Sequence, residues 1–297
     1  MPELTTNPSI SILRPMNALK PIGITRARWY IVVAAIMWST SGMLGKLIAL
    51  PGPTMACLRA LFAATALVPA LRWRAISFRP AMVGMVACFA TMNLCYVTSI
   101  TLTTAANAIF LQYTAPAWMF VASVFWLREP MDRRSLTSLL VGMIGIAVII
   151  LGNWRDSSLG VALGLFSGAA YAGVAVFLRL LRDENPFWLT IINHLMGGLL
   201  LLPFVLRNPQ WSLVGISSMQ YFGLFLFGVA QMAIPYVLFS RGLSAVTPQE
   251  AGIITLLEPV LNPVLTYVTV GEVPGMSTIV GGAVILSGVA LRYWRAG

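Results

Sequence analysis

The chain has 297 residues, of which 58% are hydrophobic and 9% charged, against the roughly 25% charged of soluble domains. That balance excludes an ordinary water-soluble globule. The net charge of +10, which in a soluble protein would point to nucleic acid, becomes a question of which loops carry the basic residues; no nucleic-acid partner is expected, only membrane lipid and a small-molecule substrate.

Residues 1–28 hold Arg14, Lys20, Arg26 and Arg28 but no sustained apolar run, and read as a cytoplasmic tail. The first apolar run lacks a small-residue cleavage site, so it is expected to be an uncleaved span. Spanning by a helix needs about 20 apolar residues, and the alternating short strands of a barrel are absent. The first helix is placed at Trp29 to Leu47, the second at Thr54 to Leu71, and three more at about Ala81 to Thr101, Ala105 to Leu127 and Ser135 to Leu151. A second group follows at Leu159 to Leu181, Phe187 to Leu206, Ser218 to Leu243, Gln249 to Val270 and Met276 to Trp294. Pro and Gly at 51–53 and the arginines after Leu71 supply the breaks.

The two groups repeat one another. Thr104 matches Thr247, Ala108 matches Ala251, Pro116 matches Pro259 and Glu129 matches Glu272, all at one offset (259 − 116 = 143). Upstream the offset is 133 (171 − 38), pairing Trp38 with Tyr171 and Lys46 with Arg179, so roughly ten residues were added between Arg207 and Ser218. The domains are thus 29–152 and 159–294, five helices each. Counted by side, Lys and Arg fall overwhelmingly on the face of the N-terminus, and only Lys46, Arg155 and Arg207 on the other; both termini are expected in the cytoplasm. An odd number of helices per copy makes the second copy start on the opposite face, which is an inverted repeat. The expected fold is all-α: ten transmembrane helices as two inverted five-helix repeats around a central cavity.

Among the ionisable groups within spans, four stand out: Lys46, Arg59, His194 and Glu258. Lys46 and Arg59 are near enough to a helix end for snorkelling to account for them. His194 is the only histidine, and without a second ligand at metal spacing it reads as a packing residue. Glu258 is too deep to snorkel, and a carboxylate at that depth costs roughly 3 kcal/mol on insertion scales, which makes it a site candidate. Thr255 and Asn262 share its helical face at i−3 and i+4. A structural reading, a carboxyl held by a neighbouring helix, stands beside the functional one. Pro116, Pro235, Pro259 and Pro263 each deprive the carbonyl four residues earlier of its donor, those of Gln112, Gln231, Thr255 and Pro259, and are expected to kink their helices and serve gating. Around these points Trp38, Asn93, Tyr96, Gln112, Tyr113, Trp118, Tyr171, Gln231 and Tyr236 stand at similar depth, and with Glu258 and Asn262 make up the candidate substrate-binding set. The glycines of the fifth helix of each copy need be no more than close-approach surfaces. Cys57, Cys88 and Cys95 fall inside spans with no metal or disulfide spacing, so no metal and no cofactor are expected.

Two copies of five helices, each with a Pro in its fourth, the acidic ends LREP at 127–130 and VGEVP at 270–274, a Gly-rich fifth helix and LEPVLNPV at 256–263 resemble the EamA repeat of the drug/metabolite transporter superfamily. The resemblance spans nearly the whole chain after the tail and implies a ten-helix bundle that exports small metabolites through a central cavity. The segments WST at Trp38–Thr40 and Tyr113-x-x-Pro116 are similar to the branch exporting aromatic and other amino acids. The expectation is an inner-membrane exporter of small amphipathic metabolites, first of all amino acids with aromatic or apolar side chains, working by alternating access as a monomer. A channel-like facilitator is the alternative. An intramembrane enzyme is the more remote one, since no HExxH, GxSxG or nucleotide-binding loop occurs.

Overall fold

In lipid the backbone must satisfy its own hydrogen bonds, and a chain of this composition does so by coiling nearly everything into helix. The computed structural model describes residues 22–71, 73–102, 105–128, 133–152, 158–211, 213, 215–271, 273 and 275–293. The tail to residue 21, Glu129, Arg155, Glu272 and Arg295 lie outside them. Among the described residues there is no strand, and nine stretches are long and apolar enough to cross a membrane.

The first of these begins at Ile24, five residues ahead of the expected Trp29, and it is broken: α1 (Ile24–Trp38) and α2 (Ser41–Ile48) meet at Ser39 and Thr40. No proline causes this. The Ser39 hydroxyl donates to Ala35 O at 2.7 Å and that of Thr40 to Met37 O at 2.6 Å, drawing the chain into a tight turn by back-bonding. Ala49, at φ 51°, ends α2, and α3 (Gly52–Leu67) opens with Pro53 in its first turn, where a missing N–H costs nothing. The uninterrupted α4 (Pro80–Leu102) follows.

The fourth span is split into α5 (Ala105–Gln112) and α6 (Ala115–Phe125), with Pro116 at the second position of α6. Then come α7 (Arg133–Gly152), the continuous α8 (Ser158–Leu180) and α9 (Pro186–Arg207), whose Asn185 cap accepts from Phe187 N at 2.9 Å. The eighth span starts at α10 (Ser218–Leu226) under a capping box of Ser217 and Gln220. It then loosens into a π-helical stretch, Phe227–Ala233, before α11 (Ile234–Gly242). The expected kink at Pro235 is therefore a π-bulge: with no N–H at 235, the turn before it relaxes to i→i+5 pairing. The ninth span divides into α12 (Pro248–Thr255) and α13 (Glu258–Val270), and α14 (Met276–Tyr293) is the last described helix, apolar over Ile279–Gly288.

The α5/α6 and α12/α13 breaks are the same structure twice. Each is an eight-residue helix, two turn residues and a helix with Pro at its second position, displaced by 143 (258 − 115). In both, the turn residues bond back three positions, Thr114 N to Leu111 O and Leu257 N to Ile254 O, each at 3.2 Å. Pro263, by contrast, sits inside α13 without ending it.

Helices of one half pack against helices of the other: α7 along α14, α3 along α9, α4 along α8 and α1 along α11. The α7–α14 contact is made by backbone. A Cβ at Gly145 would stand 2.6 Å from Gly281 O, and one at Gly288 would stand 2.9 Å from Ser138 O, so only residues without a side chain fit. Because 145 pairs with 281 and 138 with 288, the two helices run antiparallel.

Candidate functional site

The helix interruptions lie around one chamber. Trp38 reaches it from the end of α1 and Ser41 from the start of α2; Arg59 comes from α3, Met92, Asn93 and Tyr96 from α4, and Gln112 from the end of α5. The second half adds Tyr171 from α8, Gln231 and Met232 from the π-bulge, Tyr236 from α11 and Glu258 from the first turn of α13. In this conformation the cavity is narrow, with a volume of about 40 Å³.

Its wall is aromatic. Trp38 meets Tyr236 edge-on with ring centroids 5.1 Å apart, Phe239 at 5.1 Å and Tyr171 at 6.1 Å. Four polar atoms lining the chamber, Trp38 Nε1, Arg59 Nε, Tyr171 Oη and Gln231 Oε1, are buried and have no hydrogen-bond partner among the described residues. Leaving a buried polar group unpaired costs roughly 1–3 kcal/mol, and four around one cavity make it a candidate site for an occupant.

Glu258, 9% exposed, stands at the positive end of the α13 dipole, with the Tyr113 hydroxyl within hydrogen-bonding reach of its carboxyl. The break removes Thr255 from its helical face, correcting the strip expected from sequence, and the Thr255 hydroxyl turns back to Gly252 O at 3.0 Å. Asn262 does remain on α13 with Glu258, but its Nδ2 donates to Ser41 Oγ at 3.0 Å, tying α13 to α2 beside the chamber without lining it.

Arg59 is the residue that sequence placed wrongly. Far from snorkelling, it is 6% exposed and lies in the cavity wall, where Nη2 donates to Asn93 Oδ1 at 3.3 Å and the guanidinium lies 4.8 Å from the Phe227 ring centroid. Removing a guanidinium from water costs on the order of several kcal/mol, and a desolvated cation–π contact returns about 2. No carboxylate among the described residues forms an ion pair with it.

Trp118 does not join the chamber; it is 49% exposed on the outside of the bundle. His194 is fully buried behind the wall: its Nδ1 lies 2.8 Å from Thr190 O, and its ring packs on Phe89 at 4.6 Å and Tyr236 at 4.8 Å. This is the packing role read from sequence. Among the described residues no group of three or more His, Cys, Asp or Glu is placed to hold a metal ion.

Ser41, Arg59 and Tyr96 also line a vestibule of about 380 Å³ that runs past Gly45, Lys46 and Met55 to the α2–α3 connection. On the opposite side of Trp38 the bundle is solid, with Ala27, Ile31, Ala34, Phe239, Leu243 and Ala251 fully buried. At that end Arg28 Nε donates to Glu250 Oε1 at 2.7 Å, joining α1 to α12, and Arg179 Nη1 donates to Leu243 O at 2.8 Å.

The EamA-like transporter family profile matches this chain twice, over residues 25–151 and 158–294. A protein of Archaeoglobus fulgidus described as an uncharacterized transporter is 34% identical over 201 residues, covering 67% of this chain and 71% of that one. YicL of Salmonella typhimurium, described as an uncharacterized inner membrane transporter, is 25% identical over 287 residues, covering 88% and 93%. A solved structure described as the crystal structure of a protein matches with a TM-score of 0.79 at 18% identity, over 92% of this chain and 98% of that chain, which is a likeness of fold.

Proposed function

Since the chain belongs to the EamA-like transporter family and is a multi-pass integral membrane protein, we propose that it is a secondary transporter exporting small amphipathic metabolites, first among them amino acids with aromatic or apolar side chains. The observation that carries this reading is the chamber, an aromatic wall with unspent polar atoms that shares Ser41, Arg59 and Tyr96 with a vestibule on one side and has packed side chains on the other. Packing across one end suits a carrier, whereas a channel needs a continuous path.

The architecture we propose is ten transmembrane helices in two inverted repeats, α14 being the tenth. The α7–α14 contact supports it. Under the offset of 143, Gly145 corresponds to Gly288 and Ser138 to Gly281, so the approach of Gly145 to Gly281 O maps onto that of Gly288 to Ser138 O. A contact that exchanges into itself is the mark of a two-fold axis, and antiparallel equivalent helices put that axis in the membrane plane. The vestibule then faces outward from a bacterial inner membrane with both termini in the cytoplasm. Cysteines placed at the exposed Asp183 and Gln210 should label from opposite sides in intact cells; labelling from one side overturns this orientation.

Counterflow in proteoliposomes tests the function. Vesicles preloaded with unlabelled leucine or tryptophan should take up the labelled amino acid with saturation. Absence of exchange for every amino acid offered refutes the substrate class, and non-saturable flux refutes the carrier.

A further inference from the structure

Arg59 is left over by the reading just given. An aromatic wall for an apolar side chain does not by itself call for a buried guanidinium, and neither does the fold: at the offset of 133 the matching residue of the second half is Ile192 (192 − 59), on the equivalent helix α9. The group lies where chamber and vestibule meet, since Arg59 lines both. A guanidinium carries five N–H donors in one planar fork; here one donates to Asn93, the buried Nε has no acceptor among the described residues, and the ring of Phe227 lies beside the group, its centroid 4.8 Å from Cζ. Glu258 lines the same cavity, near enough for its charge to act on Arg59, yet no ion pair joins them.

We infer that Arg59 is the carboxylate-binding residue of the chamber, taking the anionic end of a zwitterion at the vestibule neck while Glu258 takes the cationic end deeper in. The charge inventory decides between anions. One guanidinium facing one carboxyl group balances a zwitterion, with its apolar side chain against Trp38 and Tyr236, whereas a phosphate dianion would leave the chamber with surplus negative charge. Arg forks match carboxylates in geometry as well as in charge. The inference rests on the export reading above for the amino acid itself, though the anion site stands on the geometry of Arg59.

The test measures thermal stabilisation of the purified full chain in detergent by four probes: leucine, leucinamide, 4-methylpentanoate and inorganic phosphate. Leucine should stabilise the wild type, with leucinamide at least about tenfold weaker in apparent affinity, the loss of one charge-assisted hydrogen-bonded pair. Arg59→Gln should erase that preference, and Arg59→Lys should restore part of it. If leucinamide stabilises the wild type as well as leucine does, Arg59 is not the carboxylate site while the amino-acid reading survives; this comparison needs no mutant, so a misfolded variant does not shield the inference. If leucine fails but 4-methylpentanoate stabilises the wild type and not Arg59→Gln, the carboxylate site stands and the amino-acid reading falls. Stabilisation by phosphate alone, or by none of the four, overturns the inference.

Discussion

The two halves of the chain agree in their scaffold and disagree in their chemistry. The α5/α6 and α12/α13 breaks coincide residue for residue under the offset of 143, and Trp38 and Tyr171, paired by sequence, meet edge-on in the chamber. The two charged groups of the chamber follow no such rule: Glu258 corresponds to Ala115 and Arg59 to Ile192. The interruptions differ too, for α1/α2 is broken where α8 is continuous, and α4 is continuous where the eighth span carries a π-bulge. A half that folds without a charge shows that the fold does not require one there, so what one half alone carries is the better guide to the substrate.

The sharpest way to break that comparison is to give Glu258 the character of its uncharged counterpart. Glu258→Gln keeps shape and most hydrogen bonds, so a structural carboxyl would pass unnoticed; we expect transport to fall about 10- to 100-fold, the ~1.5–3 kcal/mol of a hydrogen bond to a charged group. Counterflow near the wild-type rate, with normal expression, would remove Glu258 from the site.

The shared breaks predict a matched pair. Pro116→Ala and Pro259→Ala each restore a helical donor, and both should slow turnover several-fold, on the order of 1 kcal/mol, without lowering thermal stability. Equal slowing upholds the mechanical equivalence of the halves, and a strong effect from one proline alone refutes it.

Smaller still is the effect of the Arg28–Glu250 pair, which closes the end opposite the vestibule. Arg28 is about one-third exposed, so screening reduces its worth to roughly 0.5 kcal/mol, a twofold shift between conformations. Glu250→Gln should lower maleimide labelling of a cysteine at Gly45, a vestibule position where an added Cβ meets nothing within 4 Å; unchanged labelling excludes the pair as a latch. Least of all, Trp118→Ala should leave counterflow within about twofold of wild type, as expected of a half-exposed side chain remote from the chamber, and a larger loss would place Trp118 in the transport path after all.

What the sequence disclosed, and what it hid, follow from the same breaks. Proline announces an interruption by its missing N–H, so Pro116 and Pro259 located two of them, and with them Gln112, Tyr113 and Glu258. The break after Trp38 has no such signal, since Ser39 and Thr40 look like ordinary small polar residues until their hydroxyls are seen to bond backward. Trp118 shares the depth of the cluster but not its side of the helix, since depth along a chain does not fix which way a side chain faces, and it lies half-exposed outside the chamber. Arg59 escapes a reading by depth, which runs from the end of its helix, because its side chain is buried in the chamber wall. The signal that could have found it was the rule that an ionisable residue inside a span is functional until shown otherwise.

Trp38 belongs at once to the chamber wall, to the aromatic packing that seals one end and to the last turn before the α1/α2 break. Communication between an occupied site and a moving element is usually a matter of distance, carried by intermediaries whose contributions are hard to apportion. Here the distance is nil. Whatever free energy an occupant gains by touching that indole in one conformation and not in the other acts directly on the joint, and by reciprocity the position of the joint sets the occupant's affinity.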